Sequence, residues 1–164
     1  MTQGLLSEDM VDVVSTFPGS YITAVQGDAT PILTRVVGLE VEDRDTVVVA
    51  VQTPISGEFL ACLDSNATVA LVGVKLTTFL TFQFKGEILG RWDATDEDKP
   101  KIQEYIDGFS ALVAHVGLDP TRYGPAFSKG PWTCLRMRIN EVFCLLYTSP
   151  SPRDQRGSRM PSSA

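Results

Sequence analysis

Alternation of apolar and polar residues is the main feature of the middle of the chain. The clearest case is residues 76–90, with the sequence LTTFLTFQFKGEILG. A two-residue period places alternate side chains on opposite faces of a strand. The apolar row contains Leu80, Phe82, Phe84 and Ile88, and the polar row contains Thr81, Gln83, Lys85 and Glu87. We therefore predict a strand over residues 76–90, bent near Gly86, whose polar row faces either water or a ligand.

Similar patterns predict most of the remaining fold. Alternation or β-branched runs between turn residues predict five more strands, over residues 21–26, 32–41, 46–52, 67–74 and 132–143. Helical spacing of apolar residues predicts helices over residues 7–16, 58–64 and about 95–117. The run 46–52, TVVVAVQ, is typical of a strand that is covered on both faces. The fold class is therefore mainly β (α+β), with six antiparallel strands and two or three flanking helices.

One charged residue interrupts an apolar row. On the strand at 32–41, alternation places Leu33, Val37, Leu39 and Val41 on the same face as Arg35. An arginine in such a row either contacts a ligand or forms an ion pair at an interface. We keep both interpretations at this point.

Composition and charge narrow the classes of partner. The 164 residues carry a formal charge of -6, which disfavours non-specific binding to nucleic acid. No apolar run is long enough to span a membrane, and no basic region leads into an apolar one at the start, so we expect a cytoplasmic protein without a membrane partner. Three widely spaced cysteines without nearby histidines predict neither a disulfide framework nor a metal site.

The last 21 residues differ from the rest of the chain. Residues 144–164 are rich in Ser, Pro and Arg and show no periodicity. We therefore predict a folded domain over residues 1–143 and a disordered tail over residues 144–164. The tail also resembles adaptor-like ends found in conceptual translations of environmental sequencing data, which would make it non-native.

The order of the elements and several motifs resemble the pyridoxamine 5'-phosphate oxidase-like, FMN-binding split β-barrel family. The resemblance runs from about residue 20 to residue 143. Its most specific part is LDSNATVAL at 63–71, similar to the family's L-x-x-N-P-x-V-A-L, followed by TFLTFQFKG at 78–86. It implies a split barrel and a homodimer with two flavin sites at the subunit interface.

The resemblance also implies cofactor-binding residues. Arg35 matches an arginine that approaches the flavin and its phosphate, and Thr53 matches the threonine that ends the third strand. Gln83 and Lys85 match the polar pair near the ring or the phosphoribityl chain, so the polar row would face a ligand. Ser56 lies in a turn whose backbone N–H groups either cradle a phosphate or form an ordinary turn.

Two positions depart from the family pattern. Glu58 and Phe59 stand where tight FMN binders place an Arg-Lys pair. A phosphate carries about -1.5 to -2 charges at neutral pH, so a carboxylate there repels it. Two lost charge-assisted hydrogen bonds weaken binding by about 10^2 to 10^4-fold.

The sequence as a whole predicts an FMN-binding, oxidoreductase-like homodimer that acts on an unknown small molecule. No catalytic acid or base is identified. The alternative is a non-catalytic split-barrel module that binds haem or another cofactor and has lost tight FMN binding.

Overall fold

The computed structural model describes residues 5–27, 29–122 and 129–145, which form six strands and three α-helices. The helices are α1 (Glu8–Ser15), α2 (Gly57–Cys62) and α3 (Asp98–His115). The strands are β1 (Gly19–Val25), β2 (Pro31–Val41), β3 (Thr46–Gln52), β4 (Thr68–Val74), β5 (Thr81–Asp93) and β6 (Trp132–Cys144). The predicted fold class, mainly β with flanking helices, is confirmed.

The six strands close into an antiparallel barrel in the order β1-β2-β3-β6-β5-β4. Every neighbouring pair is antiparallel, including β4 with β1, which closes the barrel. Closure leaves no unpaired sheet edge within the barrel. In a ring of six strands, two strands that stand three places apart lie on opposite walls. The strands β2 and β5 stand three places apart, so they lie on opposite walls of the barrel.

The barrel interior holds the main hydrophobic core. Val47, Val49 and Val51 of β3 point into it, while Val48 and Ala50 pack outside with residues of α3, so β3 is covered on both faces as predicted. The two short helices contribute to the same core. They do so through Leu6, Val13 and Val14 at α1 and through Phe59 and Cys62 of α2.

A β-bulge in β2 corrects the predicted face of Arg35. The register with β3 shifts between Val36 and Gly38. Leu33 and Arg35 point outward, and Leu33 is 62% exposed, whereas Leu39 and Val41 pack against the barrel core. The prediction that all of them share one face is wrong because the extra residue of the bulge reverses the alternation.

The long strand β5 begins later and ends later than predicted. Residues 75–80 form a tight loop, in which the Lys75 and Phe79 amides donate to the Leu80 and Lys75 carbonyl groups respectively. Phe82 and Phe84 point into the core, as the alternation predicts. The predicted bend near Gly86 coincides with a register shift between Lys85 and Gly86.

Helix α3 packs against the outside of β2 and β3. Thr95 and Asp98 cap its start, because the Asp98 carboxylate accepts from the Thr95 backbone at 2.9 Å and the Asp98 amide donates to the Thr95 hydroxyl at 3.3 Å. Burial raises the pKa of Asp98, but hydrogen bonds from Thr95 and the Trp92 indole outweigh it, so the pKa is lowered overall. The buried side of α3 consists of Ile102, Tyr105, Ile106, Phe109 and Val113.

The prediction of a disordered tail over residues 144–164 lies outside the described residues, apart from Cys144 and Leu145.

Candidate functional site

Arg35 lies on the outer face of β2, held between aromatic rings. Its guanidinium carbon is 4.5 Å from the centroid of the Phe109 ring and 5.6 Å from that of Tyr21. Its Nη1 donates to the Tyr21 hydroxyl at 3.4 Å. Tyr21 is the cross-strand neighbour of Arg35, and Phe109 comes from α3. This packing orients the guanidinium at the border between α3 and the outer face of β1.

Gln83 and Lys85 lie on the outer face of β5. The Lys85 ammonium is 4.7 Å from the centroid of the Phe143 ring on β6. Gln83 is the direct neighbour of Phe143 in the register of β5 with β6. Since β5 and β2 are three places apart in the ring of six strands, Gln83 and Lys85 project from the wall opposite Arg35. A single chain therefore does not bring these three side chains to one point.

Thr53 and Ser56 lie at the end of the barrel where β3 leads into α2. The Ser56 hydroxyl is 2.7 Å from the hydroxyl of Thr34 on β2, and both residues are buried. The Thr53 hydroxyl is 2.9 Å from that of Thr133 on β6. Ser56 thus contacts the strand of Arg35 through Thr34, whereas Thr53 contacts β6, which is the neighbour of β5. They form a second group of predicted residues.

Two polar atoms beside Thr53 were missed by the sequence reasoning. Gln52 and Trp132 are cross-strand neighbours at the ends of β3 and β6. The Gln52 Oε1 and Trp132 Nε1 atoms are buried and have no hydrogen-bond partner in the described part of the chain, although Gln52 Nε2 donates to the Lys129 carbonyl at 2.7 Å. Buried polar atoms are nearly always paired, so an acceptor and a donor remain to be satisfied here. No sequence pattern marks them.

Glu58 and Phe59, the two positions that depart from the family pattern, differ in their exposure to solvent. Phe59 is 1% exposed and belongs to the barrel core, so its side chain is unable to contact a ligand outside the barrel. Glu58 is exposed on the first turn of α2. The carboxylate at this end of the barrel therefore faces solvent.

A cleft of about 520 Å³ opens between α2 and the far end of the β5–β6 pair. Thr133 lines it, which connects the cleft to Thr53. Arg91 crosses the cleft and forms an ion pair with Asp64 at 2.8 Å, while its Nη1 donates to the Leu60 carbonyl at 3.1 Å. The charge of Arg91 in this cleft is therefore neutralised by Asp64, just after α2.

An exposed apolar surface occupies the outer face of β1 and the start of β2. Tyr21 and Val25 are each 42% exposed, and Leu33 is 62% exposed. The outward-facing residues of the adjacent strand β4 are Ala70 and Val72, which are only partly buried. We call this region, bordered by Arg35 on one side and by Gln83 and Lys85 on the other, the β1–β4 face. None of the helices in the described ranges is long and apolar enough to cross a membrane.

Comparison with known proteins identifies the fold. No family model and no curated protein matches the sequence. Among solved structures, a Lactobacillus delbrueckii protein assigned to the pyridoxamine 5'-phosphate oxidases superposes with a TM-score of 0.56 at 17% identity, over 88% of this chain and 98% of that one. The chain has the pyridoxamine 5'-phosphate oxidase-like split-barrel fold.

Two other solved structures superpose with similar scores. An FMN-binding protein from Syntrophomonas wolfei gives a TM-score of 0.52 at 12% identity, over 84% of this chain and 86% of that one. HupZ from group A Streptococcus gives 0.54 at 11% identity, over 86% and 94%. Identities this low establish a shared split barrel, and function must be argued from the site.

Proposed function

We propose that this split barrel binds a flavin-type cofactor, with FMN as the first candidate, and works as an oxidoreductase on a small molecule. The cofactor would lie at an interface between two copies of the chain, in contact with Arg35 and with the turn at Thr53 and Ser56 of one copy and with Gln83 and Lys85 of the other. The redox chemistry belongs to the cofactor, and the residues of the chain bind and orient it.

The observation that carries this proposal is the β1–β4 face. Its centre is apolar and exposed, and its two borders carry the predicted ligand residues Arg35, Gln83 and Lys85. Exposed apolar surface bordered by polar residues is typical of interaction sites. A second copy of the chain on this face would cover Leu33 and Tyr21. The polar side chains at the borders of the face would then surround the interface between the two copies.

A dimer also accounts for the position of the ligand residues on opposite walls. Arg35 and Lys85 of one chain point away from each other, because β2 and β5 oppose each other in the ring. If two copies associate through their β1–β4 faces about a two-fold axis that runs along the strands, the β2 border of one approaches the β5 border of the other. Each cofactor would then contact Arg35 of one copy and Gln83 and Lys85 of the other.

The unpaired atoms beside Thr53 supply further support. Gln52 Oε1 is an acceptor and Trp132 Nε1 is a donor. The pyrimidine edge of a flavin ring carries both an N–H donor and carbonyl acceptors, so it offers the complementary groups. The Syntrophomonas wolfei protein that superposes on this barrel is described as FMN-binding, which supports a flavin as the ligand.

The turn before α2 does not fit a phosphate group. The Ser56 hydroxyl is buried and paired with Thr34, Glu58 is acidic and Phe59 is in the core. The proposal therefore assigns the cofactor ring, and not its phosphate, to this region. No step of the proposal depends on a phosphate contact there.

A visible absorption spectrum of the purified chain tests the proposal. Flavin bands, or the quenching of FMN fluorescence on titration of a colourless preparation, are expected together with a dimeric mass by light scattering. A colourless chain that fails to bind added flavin would contradict the proposal. A haem Soret band would favour the alternative of a non-catalytic module that binds a different cofactor.

A further inference from the structure

The chain segment around α2 supplies no positive charge to its end of the barrel. Residues 45–74 contain no Lys or Arg, although they form β3, α2 and β4. The same segment contributes exposed Glu58 and Asp64. Asp64 is neutralised by Arg91, but Glu58 has no ion-pair partner in the described part of the chain. A phosphate brought to this end of the barrel would meet a carboxylate, and like charges repel.

The hydroxyl groups of Ser56 and Thr53, at the end of the barrel next to α2, already form hydrogen bonds within the chain. Ser56 is 1% exposed, and its hydroxyl forms a hydrogen bond with Thr34 inside the barrel. Thr53 pairs with Thr133. Strong phosphate sites combine several charge-assisted hydrogen bonds. Here the buried hydroxyl of Ser56 contacts the barrel interior through Thr34.

Lysine and arginine side chains from other segments do not supply the positive charge that residues 45–74 lack. Arg35 stacks on Phe109, and Lys85 lies over Phe143 on the opposite wall. Arg91 forms an ion pair with Asp64 and also donates to the carbonyl of Leu60. The aromatic partners of Arg35 and Lys85 make both side chains parts of flat, ring-accommodating surfaces.

We propose that the cofactor site selects the flavin ring system and does not depend on the terminal phosphate. In this inference, which rests on the proposed function, Glu58 is a specificity-determining residue that disfavours a phosphate next to α2. The ligand class is therefore a flavin whether or not it is phosphorylated. Riboflavin and FMN should bind with similar affinity.

The test compares the dissociation constants of riboflavin and FMN for the full chain, measured by the quenching of their fluorescence. We expect the constant for riboflavin to be less than about tenfold that for FMN, since tenfold corresponds to about 1.4 kcal/mol, or one charge-assisted contact. A ratio above about tenfold in favour of FMN would overturn the inference while leaving the proposed function intact. If neither ligand binds, the proposed function itself fails.

A charge reversal tests the role of Glu58 directly. Glu58→Lys should shift the affinity ratio towards FMN by at least about threefold, because it replaces a repelling charge with an attracting one. The matched control is Glu104→Lys, which makes the same change of charge at an exposed position of α3. If both variants shift the ratio equally, the effect is one of net charge and the role of Glu58 is wrong. Thermal unfolding of both variants checks that the barrel is retained.

Discussion

The guanidinium group of Arg35 lies 4.5 Å from the centroid of the Phe109 ring. This contact joins α3 to β2 at the border of the β1–β4 face. It orients the charge and covers an aromatic ring that would otherwise meet solvent. Since cation–π contacts contribute about 0.5–1 kcal/mol at exposed sites, the contact has a measurable structural role as well as the proposed one in binding.

Replacing Arg35 or Lys85 should weaken flavin binding. Arg35→Ala and Lys85→Ala each remove one proposed cofactor contact, so we expect the dissociation constant to rise by about tenfold in either variant. Fluorescence titration with FMN and with riboflavin measures the change. Arg35→Ala should also lower the free energy of unfolding by about 0.5–1 kcal/mol through loss of the Phe109 contact.

Lys99→Ala is the control for these two variants. Lys99 is an exposed cation whose ion pair with Asp96 lies at the start of α3. Its removal should leave flavin affinity unchanged. If Arg35→Ala and Lys85→Ala bind as tightly as the original chain and remain folded, the assigned site residues are wrong.

The bulge of β5 should tolerate no side chain at Gly86. A Cβ atom there would lie 1.8 Å from the carbonyl oxygen of Arg138, and this oxygen belongs to the backbone of β6. Gly86→Ala therefore forces the two strands apart, at a cost of about 3 kcal/mol or more. The melting temperature should fall by about 6 °C or more.

Gly90→Ala is the matched comparison for that variant. Gly90 stands in the second irregular region of the same strand, and a Cβ atom there would meet nothing within 4 Å. Its melting temperature should remain within about 2 °C of the original. Equal losses in both variants would show that strand conformation, and not the contact with Arg138, sets the requirement for Gly86.

Stability should decrease at alkaline pH because of Tyr105. Burial raises the pKa of Tyr105 from 10.0 to about 12, against the opposing influence of a hydrogen bond with Ser20 and the charge of Arg35. The folded state therefore retains a proton that the unfolded state loses above pH 10. Since the unfolded state then binds fewer protons, the free energy of unfolding falls as the pH rises from 10 to about 12, by roughly 2–3 kcal/mol in total.

Urea unfolding at several alkaline pH values measures this decrease. Tyr105→Phe removes the ionisable hydroxyl and its hydrogen bond to the Pro18 carbonyl, so it should cost stability near neutral pH but flatten the alkaline decrease. Tyr21→Phe, at an exposed phenol, is the control. An unchanged alkaline slope in Tyr105→Phe would assign the decrease to other groups.

Much of the barrel could be predicted from local pattern. The β-branched run of β3 was predicted to be covered on both faces, and its Val47, Val49 and Val51 point inward while Ala50 packs with α3. The inward Phe82 and Phe84 of β5 also followed from alternation. The error on β2 arose because one extra residue at Val37 reverses the alternation. Gly38, at the register shift, is the residue type that could have signalled the bulge, as Gly86 did on β5.

The sequence by itself determined which residues form strands and helices, since that choice depends on side-chain periodicity and turn residues along a short stretch of chain. Only the tertiary structure decided that Arg35 lies on the wall opposite Gln83 and Lys85. It also decided that Gln52 Oε1 and Trp132 Nε1 are buried without a hydrogen-bond partner among the residues that the structure describes. Both facts depend on the order in which distant strands pair around a closed ring. Pairing between residues about 80 positions apart, such as Gln52 and Trp132, leaves no periodic trace in the sequence.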